Sequence, residues 1–389
     1  MRTAALLAAS LSLLAAYAIA RLAWAGRYFE SGEPADLQHA ARLAPLDAAY
    51  QYAAGNPRRA VQLNPYFSRA WIQLGFDAEL RGDFAAAERW LLQAARVDAT
   101  MEPRWALANY YFRRGDGARF WPWLRLAAER SHGDRASLFQ LAWRMTNDGG
   151  EVLRRGIPEQ RDVLAAYMQF LLDEGKLDAA AGAAGALLDA ASPAERNLLL
   201  VLCDRLIGAQ QASAALRVWN GMVERGLLPH GKLAPGEGLS LTNPRLETAP
   251  LGRAFDWRLL WRAGVHSAWT GAGHQIRIEL DGREGEQTGL VSQVAPVLKG
   301  QAYEFSYRFR TEGLDADSGV VWRVYDAADG RLRTTGEPLS GVEWREGKVR
   351  FSPAGELVRL DLVYQRASGT VRQEGTIVLD GAFHLERAR

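Results

Sequence analysis

Cys203 is the one cysteine in 389 residues, so an intrachain disulfide and any zinc site built on several cysteines are excluded. Its neighbours Leu198-Leu199-Leu200-Val201-Leu202 are apolar, and a buried structural thiol is expected there. It lies far from the N-terminus and offers no lipoprotein attachment. A charge excess is also missing. Lys+Arg 47 against Asp+Glu 45 leaves a formal net charge of +2, and no arginine cluster is long enough to form the basic face that nucleic acid requires. Catalytic signatures are absent as well: no His-Glu-x-x-His helix, no Gly-x-Ser-x-Gly elbow and no phosphate loop. Gly271-Ala272-Gly273 lacks the third glycine and the βαβ setting of a dinucleotide site, and His266 and His274 have no evident third ligand. Asp and Glu are plentiful, but a glycosidase needs two of them about 5–10 Å apart, which chain spacing does not fix. The expectation is a non-catalytic protein with no metal, no cofactor and no nucleic-acid partner.

What is present fits two folded domains. Hydrophobic residues make up 48% and charged residues 24%, an ordinary globular balance, and the length suits two domains plus a short leading segment. That segment, residues 1–27, opens with Arg2 and an uncharged run from Ala4 to Ala20. As a helix the run reaches about 26 Å, slightly short of a bilayer core of about 30 Å. Continuing through Leu22-Ala23-Trp24-Ala25 completes the span if Arg21 snorkels to the interface. Ala18-Ile19-Ala20 also reads as a small-x-small cleavage site of a secretory signal. Anchor and signal both place residues from about Tyr28 onward across the membrane, whereas Arg21 and Arg27 outnumber Arg2 and favour a cytoplasmic bulk. These alternatives stay open at the level of sequence.

Trp71 and Trp105 lie 34 residues apart, and each opens the same pattern. Trp71-x-x-Leu74-Gly75 is followed by Gly82-Asp83-Phe84, Ala87, Leu91 and Ala94. Trp71, Leu74 and Ala78 share one helix face by three-and-four spacing. Gly75 and Ala87 are small where two helices must approach, and Gly82-Asp83 breaks the helix between them. The next unit runs from Trp105 through Tyr110, Phe112, Gly115-Asp116 and Ala128. Ala60 with Pro65, and Ala40 with Pro45, repeat the closing pair upstream, the prolines marking unit ends because the residue before proline resists helix. The pattern resembles the tetratricopeptide repeat, a helix–turn–helix unit of about 34 residues that stacks and binds partners. Residues 164–188, with a turn at Glu174-Gly175-Lys176, and 197–228, broken near Gly208, read as further helical pairs, so residues 28–229 are expected to be an all-α tetratricopeptide-like solenoid. By repeat geometry Arg69, Ile72, Phe76 and Glu79 would face Pro103, Ala106, Tyr110 and Arg113 across a groove. Arg69, Phe76, Glu79, Tyr110 and Arg113 are therefore the candidates for holding a protein partner, the alternative being an ordinary solvated helix face.

Residues 230–238, rich in Gly and Pro, read as a linker. Beyond it, period-two alternation takes over: Ile276, Ile278 and Leu280; Tyr303, Phe305, Tyr307 and Phe309; Val320, Trp322 and Val324; Val349 and Phe351; Val358, Leu360, Leu362 and Tyr364; Ile377 and Leu379, then Phe383 and Leu385. Short strands with Gly and Asp turns predict that residues 239–389 form an all-β antiparallel sandwich. Trp257 and Trp322 read as core anchors. Trp261, Trp269, Tyr325 and Trp344 fall in or beside loops and strand ends and are candidates for stacking on a ligand, although aromatics in a sandwich are commonly core.

Asn243-Pro244-x-Leu246-Glu247, Phe255-Asp256-Trp257, Ser306-Tyr307-Arg308-Phe309-Arg310 and the run from Ile377 to Leu385 resemble, in this order, galactose-binding-like jelly rolls and carbohydrate-binding modules. The resemblance covers about 150 residues and its motifs are loose. It implies a jelly roll that binds polysaccharide through Trp261, Trp269, Tyr325 or Trp344. It also offers a structural calcium position near the first and last strands, where Glu247 and Asp380 stand; Asp380 alternatively satisfies turn amides. Similar pairings of repeats and sandwich occur in bacterial envelope polysaccharide systems. The combined expectation is a single-pass inner-membrane protein with its bulk in the periplasm, scaffolding exopolysaccharide or O-antigen assembly or export. A purely structural protein–protein adaptor and a carbohydrate-active enzyme are the alternatives.

Overall fold

Glycine and aspartate punctuate the helical part of the computed structural model, which describes residues 2–316, 318–366 and 372–388, with side chains of the first helix from Ala9 onward. Met1, Asp317, residues 367–371 and Arg389, which fall within the expected leading segment and sandwich, lie outside the described residues. The chain divides into two units, Met1–Val163 and Leu164–Arg389.

The first unit holds α1 (Arg2–Ser31), α2 (Pro34–Leu43), α3 (Ala48–Ala53), α4 (Pro57–Leu63), α5 (Ser68–Leu80), α6 (Phe84–Val97), α7 (Met101–Arg113), α8 (Gly117–Arg130), α9 (Ala136–Met145) and α10 (Gly149–Glu151), the last running into a π-helical turn at Val152–Gly156. Successive helices are joined by turns of a few residues. At two of them a glycine takes the left-handed conformation (Gly82, φ +79°; Gly115, φ +66°), and the following aspartate caps the next helix. Asp83 accepts from the Ala86 N–H at 3.0 Å and Asp116 from the Arg119 N–H at 3.0 Å. The expected close approach is real: a Cβ on Gly75 would stand 2.7 Å from the Leu91 side chain. α1 is long and apolar enough to cross a membrane by length and composition.

In the second unit, α11 (Arg161–Asp173), which begins just before the division, is followed by α12 (Leu177–Ala190), α13 (Arg196–Gly208) and α14 (Ala212–Glu224). The strands are β1 (Arg258–Leu259), β2 (Val265–Thr270), β3 (Gln275–Asp281), β4 (Gln287–Pro296), β5 (Tyr303–Glu312), β6 (Val320–Asp326), β7 (Leu332–Thr335), β8 (Arg345–Phe351), β9 (Leu357–Gln365), β10 (Glu374–Asp380) and β11 (His384–Arg387). They make two antiparallel sheets, β1-β4-β9-β6-β7 and β11-β5-β10-β3-β2, with β8 also pairing β5. The alternation in β5 is strict: Tyr303, Phe305, Tyr307, Phe309 and Thr311 are buried and the residues between them are not. Trp257, Phe305, Trp322 and Phe383 meet at the centre, with Trp257 and Phe383 ring centroids 4.5 Å apart and Phe305 and Trp322 5.0 Å apart. The helical-then-sandwich architecture expected from the sequence is thus present.

The expected linker at 230–238 differs from its reading. The His230 side chain is buried and stacks on Trp219 of α14 at 5.8 Å, and its Nε2 lies 3.4 Å from the Asp256 carboxylate. Asn220 holds Leu233 through both backbone groups, each at 2.9 Å. Asp204 of α13 accepts from the Ala254 N–H at 2.7 Å and from Arg258 at 2.9 Å. The breakers shape a packed connector: Asn220 of α14 satisfies the Leu233 backbone, and Trp219 and Asp256 hold the His230 ring. The sandwich is seated on the last helical pair rather than tethered to it.

Asp326 ties the β6–β7 turn to the β8–β9 loop. It is buried, and its carboxylate accepts from the N–H groups of Ala328 (3.0 Å), Ala354 (2.8 Å) and Gly355 (2.9 Å), with Arg333 at 3.3 Å. Burial opposes its ionisation, but these donors and the Arg333 charge outweigh that and hold its pKa below the ordinary 3.8. A depressed folded pKa gives stability that is complete above the unfolded value and is lost as pH falls through the folded one. Asp326→Asn should therefore lower stability at neutral pH by about 2–3 kcal/mol. Chemical denaturation across a pH series should show the gap to the parent protein closing below about pH 4.

Candidate functional site

The pairing of α5 with α7 brings most of the groove candidates together. Arg69 of α5 pairs with Glu102 of α7 at 3.3 Å, and Arg113 of α7 grips Glu79 of α5 through two bonds at 2.8 and 2.7 Å. The pairs bridge positions 33 and 34 residues apart, the repeat period. Phe76 lies between them on α5, half-buried. Ile72, Pro103 and Ala106 are buried, so the floor is closed and apolar.

Tyr110 is a correction: it is 3% exposed, and its hydroxyl donates to the Phe84 carbonyl at 2.9 Å. Its ring meets Tyr111 edge-on at 5.2 Å. Helix phase placed it toward the groove, but the first turn of α6 covers it, and it pins α7 to that turn. Trp71 moves the opposite way. It is half-buried and stacked on Trp90 at 5.3 Å, with its Nε1 donating to the Pro65 carbonyl at 2.8 Å. Tyr52 and Phe67, in edge contact at 5.2 Å, complete a small aromatic cluster around Ala60, Val61, Ala70 and Leu74.

The four sandwich aromatics do not come together. Trp269 faces inward, packs against the core and donates from Nε1 to the Leu246 carbonyl at 2.9 Å, so it is structural. Tyr325 lies under the Arg359 guanidinium at 4.9 Å, on the sheet that contains β6 and β9. Trp344 is flanked by Arg308 at 4.9 Å and Arg310 at 5.4 Å beside the other sheet. Both rings already carry cations on a face that a ligand would need.

Trp261 is different. It is 72% exposed and meets His266 edge-on at 6.1 Å. Arg262, Ala263, Gly264, His266, Asp281 and Arg283 join it around an open cleft of about 500 Å³. Asp281 lies 4.0 Å from the His266 Nε2 and 3.7 Å from the Arg283 side chain, and accepts from the Arg283 N–H at 3.0 Å. The hairpin of β2 and β3 builds this cleft: Val265 pairs with Leu280, and Asp281 donates its N–H to the Gly264 carbonyl at 3.0 Å. Gly264 has φ +80°, and a Cβ there would stand 2.3 Å from the Glu284 nitrogen, so only glycine fits. Sequence reasoning missed Arg262, His266, Asp281 and Arg283 as neighbours of Trp261. A hairpin centred on Gly271-Ala272-Gly273 was the signal that would have paired them.

Glu247 and Asp380 line a separate hollow of about 530 Å³ with Arg245, His274 and His384. Glu247 lies 3.8 Å from Arg245, and Asp380 accepts from Arg308 at 3.0 Å, so each carboxylate of the implied calcium site has an arginine beside it. The Asp380 carboxylate is taken by that arginine rather than by turn amides. Among the described residues no three His, Cys, Asp or Glu side chains gather closely enough to hold a metal. Cys203 is buried, and burial pushes its thiol pKa up.

No protein-family model and no curated protein matches this chain. Among solved structures, a CBM4 structure is similar at 14% identity and TM-score 0.27, over 34% of this chain and 88% of that one. A family 6 carbohydrate-binding module from Clostridium cellulolyticum, solved with xylose, is similar at 15% identity and TM-score 0.21, over 32% and 88%. YrrB, a TPR protein with an unusual peptide-binding site, is similar at 13% identity and TM-score 0.21, over 51% and 88%. The two architectures described above therefore rest on element order and register, not on these distant likenesses.

Burial separates Tyr110 from Phe76 and Trp71. Tyr110→Ala should cost about 3–5 kcal/mol, because it empties a packed site. Phe76→Ala and Trp71→Ala should cost less, about 1–2 kcal/mol, since each ring is partly in water. Urea titrations followed by helical circular dichroism rank the three variants.

Proposed function

We propose that this chain is a non-catalytic, membrane-anchored scaffold whose helical repeats hold a protein partner and whose sandwich holds a glycan at the Trp261 cleft. The carrying observation is the exposed indole of Trp261 among convergent polar groups. An indole face suits the C–H face of a pyranose, while Asp281 accepts from sugar hydroxyls and Arg262 and Arg283 donate to ring or carboxylate oxygens. Asp281 is the single carboxylate among the cleft-lining residues, which supports binding over hydrolysis by a carboxylate pair. The groove on α5 and α7, with half-buried Phe76 between two ion pairs, offers an apolar anchor with a charged rim, the arrangement that protein interfaces favour.

The apolar α1 supports an anchor that places residues from about Tyr28 onward in the periplasm, with the whole serving exopolysaccharide or O-antigen assembly or export. A C-terminal reporter active only in the cytoplasm should then stay silent; activity would reverse the orientation.

One aromatic–sugar stack contributes about 1 kcal/mol, short of the roughly 4 kcal/mol of millimolar affinity, so binding is weak and the polar groups of the cleft must add to it. Titrating the full chain with a panel of neutral and uronic-acid-containing envelope polysaccharides should change its tryptophan fluorescence. Trp261→Ala should abolish that change while altering stability by no more than about 0.5 kcal/mol. A response that survives Trp261→Ala would move the site elsewhere, and no response to any member of the panel would favour the adaptor.

A further inference from the structure

α1 does not hang from the repeats on a flexible linker. Only Gly32 and Glu33 separate it from α2, and its C-terminal end is built into the unit. Ala25 is fully buried, Phe29 meets Tyr50 at 4.7 Å, Tyr28 stacks on His39 at 5.4 Å, and the Ser31 hydroxyl donates to Asp36 at 2.8 Å. One helix therefore runs from the apolar segment into the first repeats, and the position of any bilayer around it fixes the position of those repeats.

The depth follows from the same contacts. A bilayer core of about 30 Å takes about 20 helical residues, so a span that begins at Ala4 ends near Ala23, with Arg21 snorkelling to the interface. Leu43, the last residue of α2, lines one hollow with Tyr17, Ala20, Arg21, Trp24 and Tyr28 of α1. The C-terminal end of α2 thus lies level with the end of the span. The α2–α3 turn starts there, and its Leu46 is 75% exposed.

Because short turns reverse the chain each time, alternate turns share an edge. The α4–α5 turn is next along that edge, and its Tyr66 is 77% exposed. Further along, the same edge turns polar and small: Ala99 and Thr100 between α6 and α7, then His132, Gly133 and Asp134 between α8 and α9. Large apolar tips occur on this edge only at the two turns nearest α1, among the described residues. In water both side chains leave apolar area unburied; at the boundary of headgroups and acyl chains a leucine and a tyrosine are favoured, with Arg21 and Arg42 within reach of lipid phosphates.

We infer that the turn edge carrying Leu46 and Tyr66 rests in the interfacial layer of the bilayer, so that the repeats are held against the membrane surface by three points rather than one. This rests on the reading of α1 as a retained membrane anchor.

The test uses the full chain reconstituted in phosphatidylethanolamine–phosphatidylglycerol vesicles, with Leu46→Cys, Tyr66→Cys or, on the opposite edge, Arg81→Cys carrying a nitroxide. The native Cys203 is buried with a raised pKa and stays unlabelled. Collision with lipid-soluble oxygen, relative to a water-soluble nickel chelate, should be about threefold or more higher at 46 and 66 than at 81. A chain that floats with the vesicles but shows equal ratios at all three sites overturns the inference and leaves the anchor. Shielding of 46 and 66 from both reagents would assign the edge to a second copy of the chain and also overturns it. A chain that does not float overturns the anchor and the inference with it.

Discussion

A helical pair cannot bury both of its apolar faces by itself, and the open face at the end of a stack is the constraint that organises this protein. At the start of the first unit the face is closed by the end of α1, where Ala25, Phe29 and Tyr28 meet α2 and α3. In the second unit the face of α13 and α14 is closed by the segment that leads into the sandwich. There Phe255 meets Trp219 edge-on at 5.8 Å, and the Asp256 carboxylate accepts from the N–H groups of Leu251 and Trp257 at 2.7 and 2.8 Å. Each cap is also a connection to something else, the apolar helix in one case and the sandwich in the other. Structural need and architecture coincide at both places.

The scaffold was readable where one local rule decides the outcome. Gly75 declared a close helix approach, Gly82-Asp83 declared a turn and a cap, and the alternation from Tyr303 to Phe309 declared which side of β5 faces inward. Reading failed where a neighbour distant in sequence decides. Tyr110 sits at a groove position by helix phase, and only the first turn of α6 makes it core. His230 sits among glycines and a proline, and only Trp219 and Asp256 bury its side chain. Trp269 and Trp261 look alike as aromatics near strand ends, yet the pairing of β2 with β3 turns one inward and leaves the other beside the connector that precedes β2.

The same distinction governs the site. An exposed aromatic is uninformative by itself; what surrounds it carries the chemistry. Tyr325 and Trp344 each have arginine guanidinium groups against the ring, which covers the apolar surface that stacking would use. Trp261 has its cations and its carboxylate at the rim of the cleft instead, leaving most of the indole open. The difference arises from register, since Asp281 reaches the cleft only because it stands across from Gly264.

The seating of the sandwich has a mechanical meaning. Trp261 follows Arg258 by three residues, and Arg258 is held by Asp204 of α13 at 2.9 Å and by the Ala254 carbonyl at 2.9 Å. A pull applied at the Trp261 loop would pass into α13 across a short, bonded path, with no slack segment to stretch first. Load, rather than mere proximity, is what such a joint transmits.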